Sequence, residues 1–190
     1  MIRLGVLGST RGTDLQAILD AIQNHTLDAE VVVVVSNRNK SYILERARHH
    51  NIPDVFVSQK GKTRDEFDRE ITATLLQHGA DLVLLIGFMR ILSAEFCQKW
   101  HDRILNVHPS LLPKYAGGMD NDIHEEVLRN GDVETGCTIH FVTEEVDAGP
   151  ILIKKKCTVA GKDTVESLKT KVQQLEGMAF IEAIKMIANK

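Results

Sequence analysis

The amino-terminal half of the chain alternates short apolar runs with amphipathic stretches, and that alternation constrains the fold more than any other feature. Ile2 to Leu7, Val31 to Val35 and Leu82 to Ile86 are rich in Val, Ile and Leu and bounded by Gly, Ser or Asn. Runs apolar at nearly every position, rather than at every second one, suit strands covered on both faces, as in a parallel sheet. Between them Leu15 to Ile22, Tyr42 to His49 and Phe67 to Leu76 repeat apolar residues at helical spacing. The pattern predicts a doubly wound α/β fold, a mostly parallel Rossmann-like sheet with helices on both faces. Val55 to Val57 adds a short strand. Ligands of such sheets bind beyond the carboxyl ends of the strands, where Gly8, Gly87 and His108 all fall.

The second half changes character. After the loop from Ser110 to Asp122, a helix is expected over Ile123 to Leu128, and two strands, Thr138 to Val142 and Ile151 to Val159, flank a turn containing Asp147. A last helix runs from Thr164 to about Ala188, with Asp163 placed to cap its start. No internal repeat, low-complexity tract or linker divides the chain, so its 190 residues read as one domain. A net charge of −3 and a pI near 6.2 give no general attraction to nucleic acid or to anionic membranes, so any phosphate recognition is local. With no charged leader and no unbroken apolar span, a cytoplasmic location is expected. Cys97, Cys137 and Cys157 are widely spaced with no Cys-x-x-Cys pair, which suits reduced packing residues better than a disulfide framework or a zinc site.

Two loops carry candidate chemistry. Ile104-Leu105 leads into Asn106-Val107-His108-Pro109-Ser110-Leu111-Leu112-Pro113. In an extended segment residues two apart share a face, so Asn106 and His108 can point at one substrate atom, while the prolines stiffen the turn that follows. An amide donor beside an imidazole suits a reaction in which a carbonyl oxygen gathers negative charge. The octapeptide alone fits equally well a strand end whose His and Asn cap nearby backbone groups. Gly8-Ser9-Thr10-Arg11-Gly12-Thr13-Asp14 lies between the first strand and first helix, a position that can hold a phosphate. Spacing alone favours an ordinary connection there, with Thr13 or Asp14 as N-cap.

Asn106 through Tyr115 resembles the signature of the folate-dependent formyltransferases. Further matches follow that family's order: Gly87-Phe88-Met89-Arg90-Ile91-Leu92-Ser93, then Gly136 through Val142 with His140 inside, then Val146-Asp147-Ala148-Gly149-Pro150. The resemblance covers nearly the whole chain. It implies one formyltransferase domain over residues 1–190, with 1–100 a Rossmann-like phosphate-binding half and 101–190 a catalytic and folate-binding half. It implies transfer of a formyl group from 10-formyltetrahydrofolate, a cosubstrate, to the amine of glycinamide ribonucleotide in purine synthesis. It implies that no metal, nucleic acid or membrane takes part, and a monomer or homodimer is expected.

The same resemblance assigns residues. Asn106, His108 and Asp147 act together, Asp147 binding an ordered water or raising the pKa of His108, with His140 in support beside the Asp. Met89, Arg90, Ile91, Leu92 and Val142, with Asp147, hold the folate, although for the Met89 side chain apolar packing at a helix entry is the simpler account. Gly12, Thr13 and Asp14 hold the ribonucleotide phosphate, Gly87 and Pro109 also meet the acceptor, and Gln173 and Glu176, three apart on one helical face, approach its ribose and amine. His124 near a helix start is expected at the surface, Lys169 and Lys171 form a solvated face, and the remaining histidines show no partner pattern.

Two departures from the family pattern keep the acceptor open. Thr13-Asp14 stands where the family has Ser-Asn, adding a negative charge near a dianion that Arg11 can offset. Ala116 to Ile123 is longer and more acidic than the family's Pro-Gly-Leu loop beside the acceptor. Alternatives are therefore a formyltransferase with another amine acceptor or a formyltetrahydrofolate hydrolase, which shares the Asn, His and Asp but has His in place of Pro109. A transfer-RNA formyltransferase needs a basic carboxyl-terminal module, and a non-catalytic nucleotide-binding regulator has no use for the three residues together.

Overall fold

The computed structural model of the protein describes residues 1–189. In chain order its elements are β1 (Ile2–Gly8), α1 (Thr13–Gln23), β2 (Ala29–Ser36), α2 (Tyr42–His49), β3 (Asp54–Phe56), α3 (Arg64–Gln77) and β4 (Leu82–Ile86). There follow α4 (Ala94–Lys99), β5 (Ile104–His108), α5 (Asp120–Arg129), β6 (Glu134–Phe141), β7 (Ile151–Thr158) and α6 (Val165–Ala188). The seven strands form one sheet in the order β3-β2-β1-β4-β5-β6-β7. The first five are mutually parallel, and β6 and β7 add antiparallel pairs.

The continuous apolar runs are explained by cover on both faces. Every residue of β4 is buried, and alternate residues serve different cores: Leu84 and Ile86 pack with α1, α2 and α6, while Val83 and Leu85 pack with α3 and α4. Burying each such side chain contributes about 1.5–3 kcal/mol relative to leaving it in water. The strand order reverses where β1 pairs with both β2 and β4, so the crevice at the carboxyl ends of β1 and β4 is the expected ligand position.

Several boundaries differ from expectation, each for a local reason. Helix α4 starts at Ala94 behind the Ser93 cap rather than at Met89, where a helix entry is the simpler reading, and its six residues are too few for a periodic signal. Strand β6 starts at Glu134, four residues early, because Glu134 to Cys137 pair with Lys155 to Thr158 of β7 whatever their propensity. The N-cap of α6 is Thr164, not Asp163: Thr164 Oγ1 accepts from the Ser167 amide at 3.2 Å and Ser167 Oγ from that of Thr164 at 2.9 Å. Asp163 instead accepts from the Ala160 amide and from Ser167 and Lys171, and the Lys171 bond foremost holds its carboxyl at about 2. The N-cap of α1 is Gly12, at φ 66°, rather than Thr13 or Asp14, and no side chain closes that helix end.

Helix α5 begins at Asp120, one turn earlier than expected. Its stripe of Ile123 and Val127 packs against Leu168 of α6, and His124, three before Val127, is 1 % exposed rather than on the surface. Lys169 and Lys171 are likewise not a free solvated face, since Lys169 donates to Asn121 at 3.0 Å and Lys171 to Asp163 at 2.5 Å. Helix α6 lies directly on α1: a Cβ added at Gly177 falls 2.6 Å from that of Ala17. Among the described residues no helix is long and apolar enough to cross a membrane.

Candidate active site

Strand register builds the centre of the site. Asn106 of β5 pairs with His140 of β6, and His108 with Thr138, so four polar side chains two apart on adjacent strands share one face of the sheet. Ile139 between them points into the opposite core. Asn106 Nδ2 lies 3.2 Å from His140 Nε2, and His140 Nδ1 lies 3.0 Å from the Phe141 carbonyl. A carbonyl only accepts, so Nδ1 of His140 carries the proton and Nε2 is free to accept from the amide. One of the two Asn106 N–H groups is thereby used and one remains.

His108 is 3 % exposed and held from two directions. Its Nε2 donates to the Tyr115 carbonyl at 2.9 Å, and its Nδ1 lies 3.3 Å from Asp147 Oδ2. Asp147 Oδ1 is 3.6 Å from His140 Nε2, and Oδ2 also accepts from the Gly117 amide at 2.8 Å. With Nε2 committed as a donor, Nδ1 of a neutral His108 carries a lone pair, so Nδ1 is the atom that takes up a proton beside the Asp147 carboxylate. Both loop residues that grip His108, Tyr115 at φ 59° and Asp147 at φ 55°, have left-handed backbone that non-glycine residues rarely adopt.

Asp147 does pull the His108 pKa upward, as expected, but a second influence outweighs it. Burial is the strongest influence on His108 and lowers its pKa below the ordinary 6.5, outweighing the upward pull of Asp147 and of the Tyr115 carbonyl. For Asp147 burial pushes upward, but the neighbouring imidazoles of His140 and His108 and the bond from the Gly117 amide together hold the carboxyl below its ordinary 3.8. The structure therefore favours a neutral imidazole beside an anionic carboxylate, in a setting where new negative charge nearby would draw a proton onto His108.

Two loops flank this cluster. Ser9 is 2 % exposed; its amide donates to the Gly87 carbonyl at 3.0 Å, and its hydroxyl accepts from the Met89 amide at 2.9 Å and donates to Asn37 at 2.6 Å. Gly87 has φ 58°, and a Cβ there would fall 2.3 Å from Thr10 Oγ1, so the two strand-end loops meet as only glycine allows. Arg90 stacks on the Phe67 ring at 4.4 Å and bonds Gln59, Leu92 is buried, and Val142 packs on the α3 and α4 core. Met89 and Ile91 are 43 % and 54 % exposed, so the Met89 side chain is not core packing: the Ser9 contact holds its backbone and leaves the side chain in the open.

At the expected acceptor end, Gly12 opens α1 with no side-chain cap, Thr13 is exposed and Asp14 is buried. Gln173 is half-buried and Glu176 buried on the α6 face that meets α1. Pro109 is half-buried after His108. The residue types alone did not single out Ser9, Thr138 or the Gly117 amide. Thr138 hydrogen-bonds both the Ser110 carbonyl and the Leu112 amide, fixing the loop after His108. Period-two alternation with His140 was the available signal for Thr138; nothing local pointed to Gly117. Among the described residues, no group of three or more His, Cys, Asp or Glu side chains is placed to hold a metal ion.

Comparison with known proteins gives a consistent picture. The formyl transferase family matches residues 2–184. The phosphoribosylglycinamide formyltransferase of Escherichia coli K12 is 38% identical over 185 residues, covering 97% of this chain and 86% of that protein. The trifunctional purine biosynthetic protein adenosine-3 of Chironomus tentans is 42% identical over 190 residues, 98% of this chain, which spans 14% of that much longer protein. Among solved structures, glycinamide ribonucleotide transformylase 1 from Symbiobacterium toebii superposes with a TM-score of 0.94 at 39% identity, covering 100% of this chain and 88% of that one.

Proposed function

The chain belongs to the formyl transferase family, and from that premise we propose that it transfers the formyl group of 10-formyltetrahydrofolate to the amine of glycinamide ribonucleotide, in purine synthesis. The observation that carries this reading is the meeting of Asn106, His108 and Asp147 at the carboxyl end of β5. The relatives named for that activity support the choice of acceptor.

The neutral acceptor amine attacks the formyl carbon and the carbonyl oxygen becomes negative. The remaining Asn106 N–H donates to that oxygen, and His108 does so once its Nε2–H turns from the Tyr115 carbonyl, each contributing about 3 kcal/mol at the transition state. The amine nitrogen gives up a proton, the bond from the formyl carbon to N10 of the folate breaks, and N10 takes a proton. Formamide product and tetrahydrofolate leave with atoms balanced. His108 and Asp147, 3.3 Å apart, are the groups able to relay it. The open first turn of α1 at Gly12, Thr13 and Asp14 receives the phosphate, Gly87, Pro109, Gln173 and Glu176 lie toward the acceptor, and residues 89–92 with Val142 take the folate. This reading places the protein in the cytoplasm, as a monomer or homodimer, with no metal.

The test supplies purified protein with 10-formyltetrahydrofolate, with and without glycinamide ribonucleotide, and follows tetrahydrofolate release and formylated product. Release that depends on the ribonucleotide is expected. Equal release with water alone makes the protein a hydrolase, and binding without turnover moves the search to another amine, with the 116–123 loop as the first segment to examine.

A further inference from the structure

Asp68 is a buried carboxylate to which the reaction gives no part. It sits on α3, 2 % exposed, directly after the Phe67 ring that underlies Arg90. Its Oδ2 accepts from the amide of Ser93 at 2.6 Å. Ser93 is itself buried and is the residue where loop 87–93 turns into α4; its hydroxyl caps that helix by accepting from the Phe96 amide at 3.2 Å. The other Asp68 oxygen and Arg90 Nε have no hydrogen-bond partner among the described residues. Burial pushes the Asp68 carboxyl upward, against the Ser93 bonds and the charges of Arg90 and Arg64. A carboxylate kept in so unfavourable a place, on one backbone amide, is a strong and directional anchor for that amide.

The loop is held at its opposite end as well, where Ser9 bonds the Gly87 carbonyl and the Met89 amide. Between the two anchors lie residues 90–92, the segment read above as meeting the folate. We propose that Asp68 is a positioning residue for the donor: by fixing Ser93 it holds the backbone of 90–92 in the shape that receives the planar ring of a reduced folate, while making no contact with the acceptor. This rests on the functional reading above. A backbone fixed in advance binds without first being ordered, so loosening one anchor weakens donor binding and leaves the proton chemistry in place.

The experiment measures KM for 10-formyltetrahydrofolate and for glycinamide ribonucleotide separately, with equilibrium binding of tetrahydrofolate, in the wild type, Asp68→Ala and Asp68→Asn. Asp68→Ala raises donor KM and the tetrahydrofolate Kd about tenfold, with kcat and acceptor KM within about threefold. Asp68→Asn keeps an oxygen for the Ser93 amide and recovers most of the loss. Unchanged donor KM in Asp68→Ala, equal rises in both KM values, or no difference between Ala and Asn overturns the proposal, since a merely structural role lowers the folded fraction without separating the substrates. Should Asp68→Ala not fold, Asp68→Glu moves the carboxylate by one methylene and carries the same expectation, and an unchanged donor KM there overturns it. Wild type that binds no tetrahydrofolate at all brings down the functional reading and this inference together; wild type that binds and turns over normally leaves the Asp68 result to stand or fall alone.

Discussion

The groups at the reaction centre reach it by two routes. Asn106, His108 and His140 stand on paired strands, where the register of β5 against β6 sets their spacing and direction. Asp147 stands on a loop in left-handed backbone, and is brought to His108 by the Gly117 amide of a second loop. Strand-borne groups are fixed by many ladder bonds shared with the rest of the sheet. Loop-borne groups depend on a few contacts that nothing else supports, and those are the contacts able to differ between open and closed forms.

Removing the strand-borne donors should therefore cost most. His108→Ala is expected to lower kcat about 10³-fold or more and Asn106→Ala about 10²–10³-fold, in proteins whose circular dichroism and melting cooperativity stay those of the wild type. Near-normal turnover in either variant removes the oxyanion role. Asp147→Asn keeps an acceptor for the Gly117 amide but removes the charge, and a fall of about 10²-fold in kcat is expected. A larger fall than for His108→Ala would show that the loop, not the strand, dominates.

Acid pH tests both routes at once. His108 and Asp147 are both shifted downward, so each holds its proton less readily folded than unfolded, and stability declines as pH falls. The His108 share is complete above its ordinary 6.5 and is lost below it, down to its depressed folded value; the Asp147 share begins to go only below 3.8. Melting temperature followed from pH 7 downward should thus slope less for His108→Ala than for wild type once below about 6.5, and identical slopes would contradict the burial argument.

The smallest effect expected is that of Gly117→Ala. Gly117 has φ 76° and open space around it, so the added methyl meets nothing and the cost is backbone alone, about 1–2 kcal/mol. The loop relaxes, its amide turns from Asp147, and activity falls about tenfold. A loss as large as that of Asp147→Asn would mean that the carboxylate has no other support.

The same division describes what was legible beforehand. The runs at Val31 to Val35 and Leu82 to Ile86 announced buried parallel strands because burial on both faces leaves no polar position in the pattern. Asn106 and His108 were readable as a pair because alternation along a strand is local. The chemistry of His140 needed the register of β6, and Asp147 came into view through resemblance, since no local rule brings residue 147 to residue 117. The surface placement expected of His124 failed because His124, three before Val127, lies beside the apolar stripe that packs on Leu168, a contact made across the chain that the local sequence does not show. The downward shift of His108 was out of reach for a related reason: a neighbouring charge can be guessed from a sequence, but the depth of burial that outweighs it cannot.

The close seating of α6 on α1, made possible at Gly177, has a consequence for the order in which the protein comes into being. Leu15 and Ile18 of α1 share their core with Val172, Ala179, Phe180 and Ala183, residues that leave the ribosome long after them. During synthesis the sheet can assemble from β1 onward while one of its faces still waits for a cover. A nascent chain that has not yet reached Val172 therefore carries an open apolar face, and a copy that stops there is left with that face exposed.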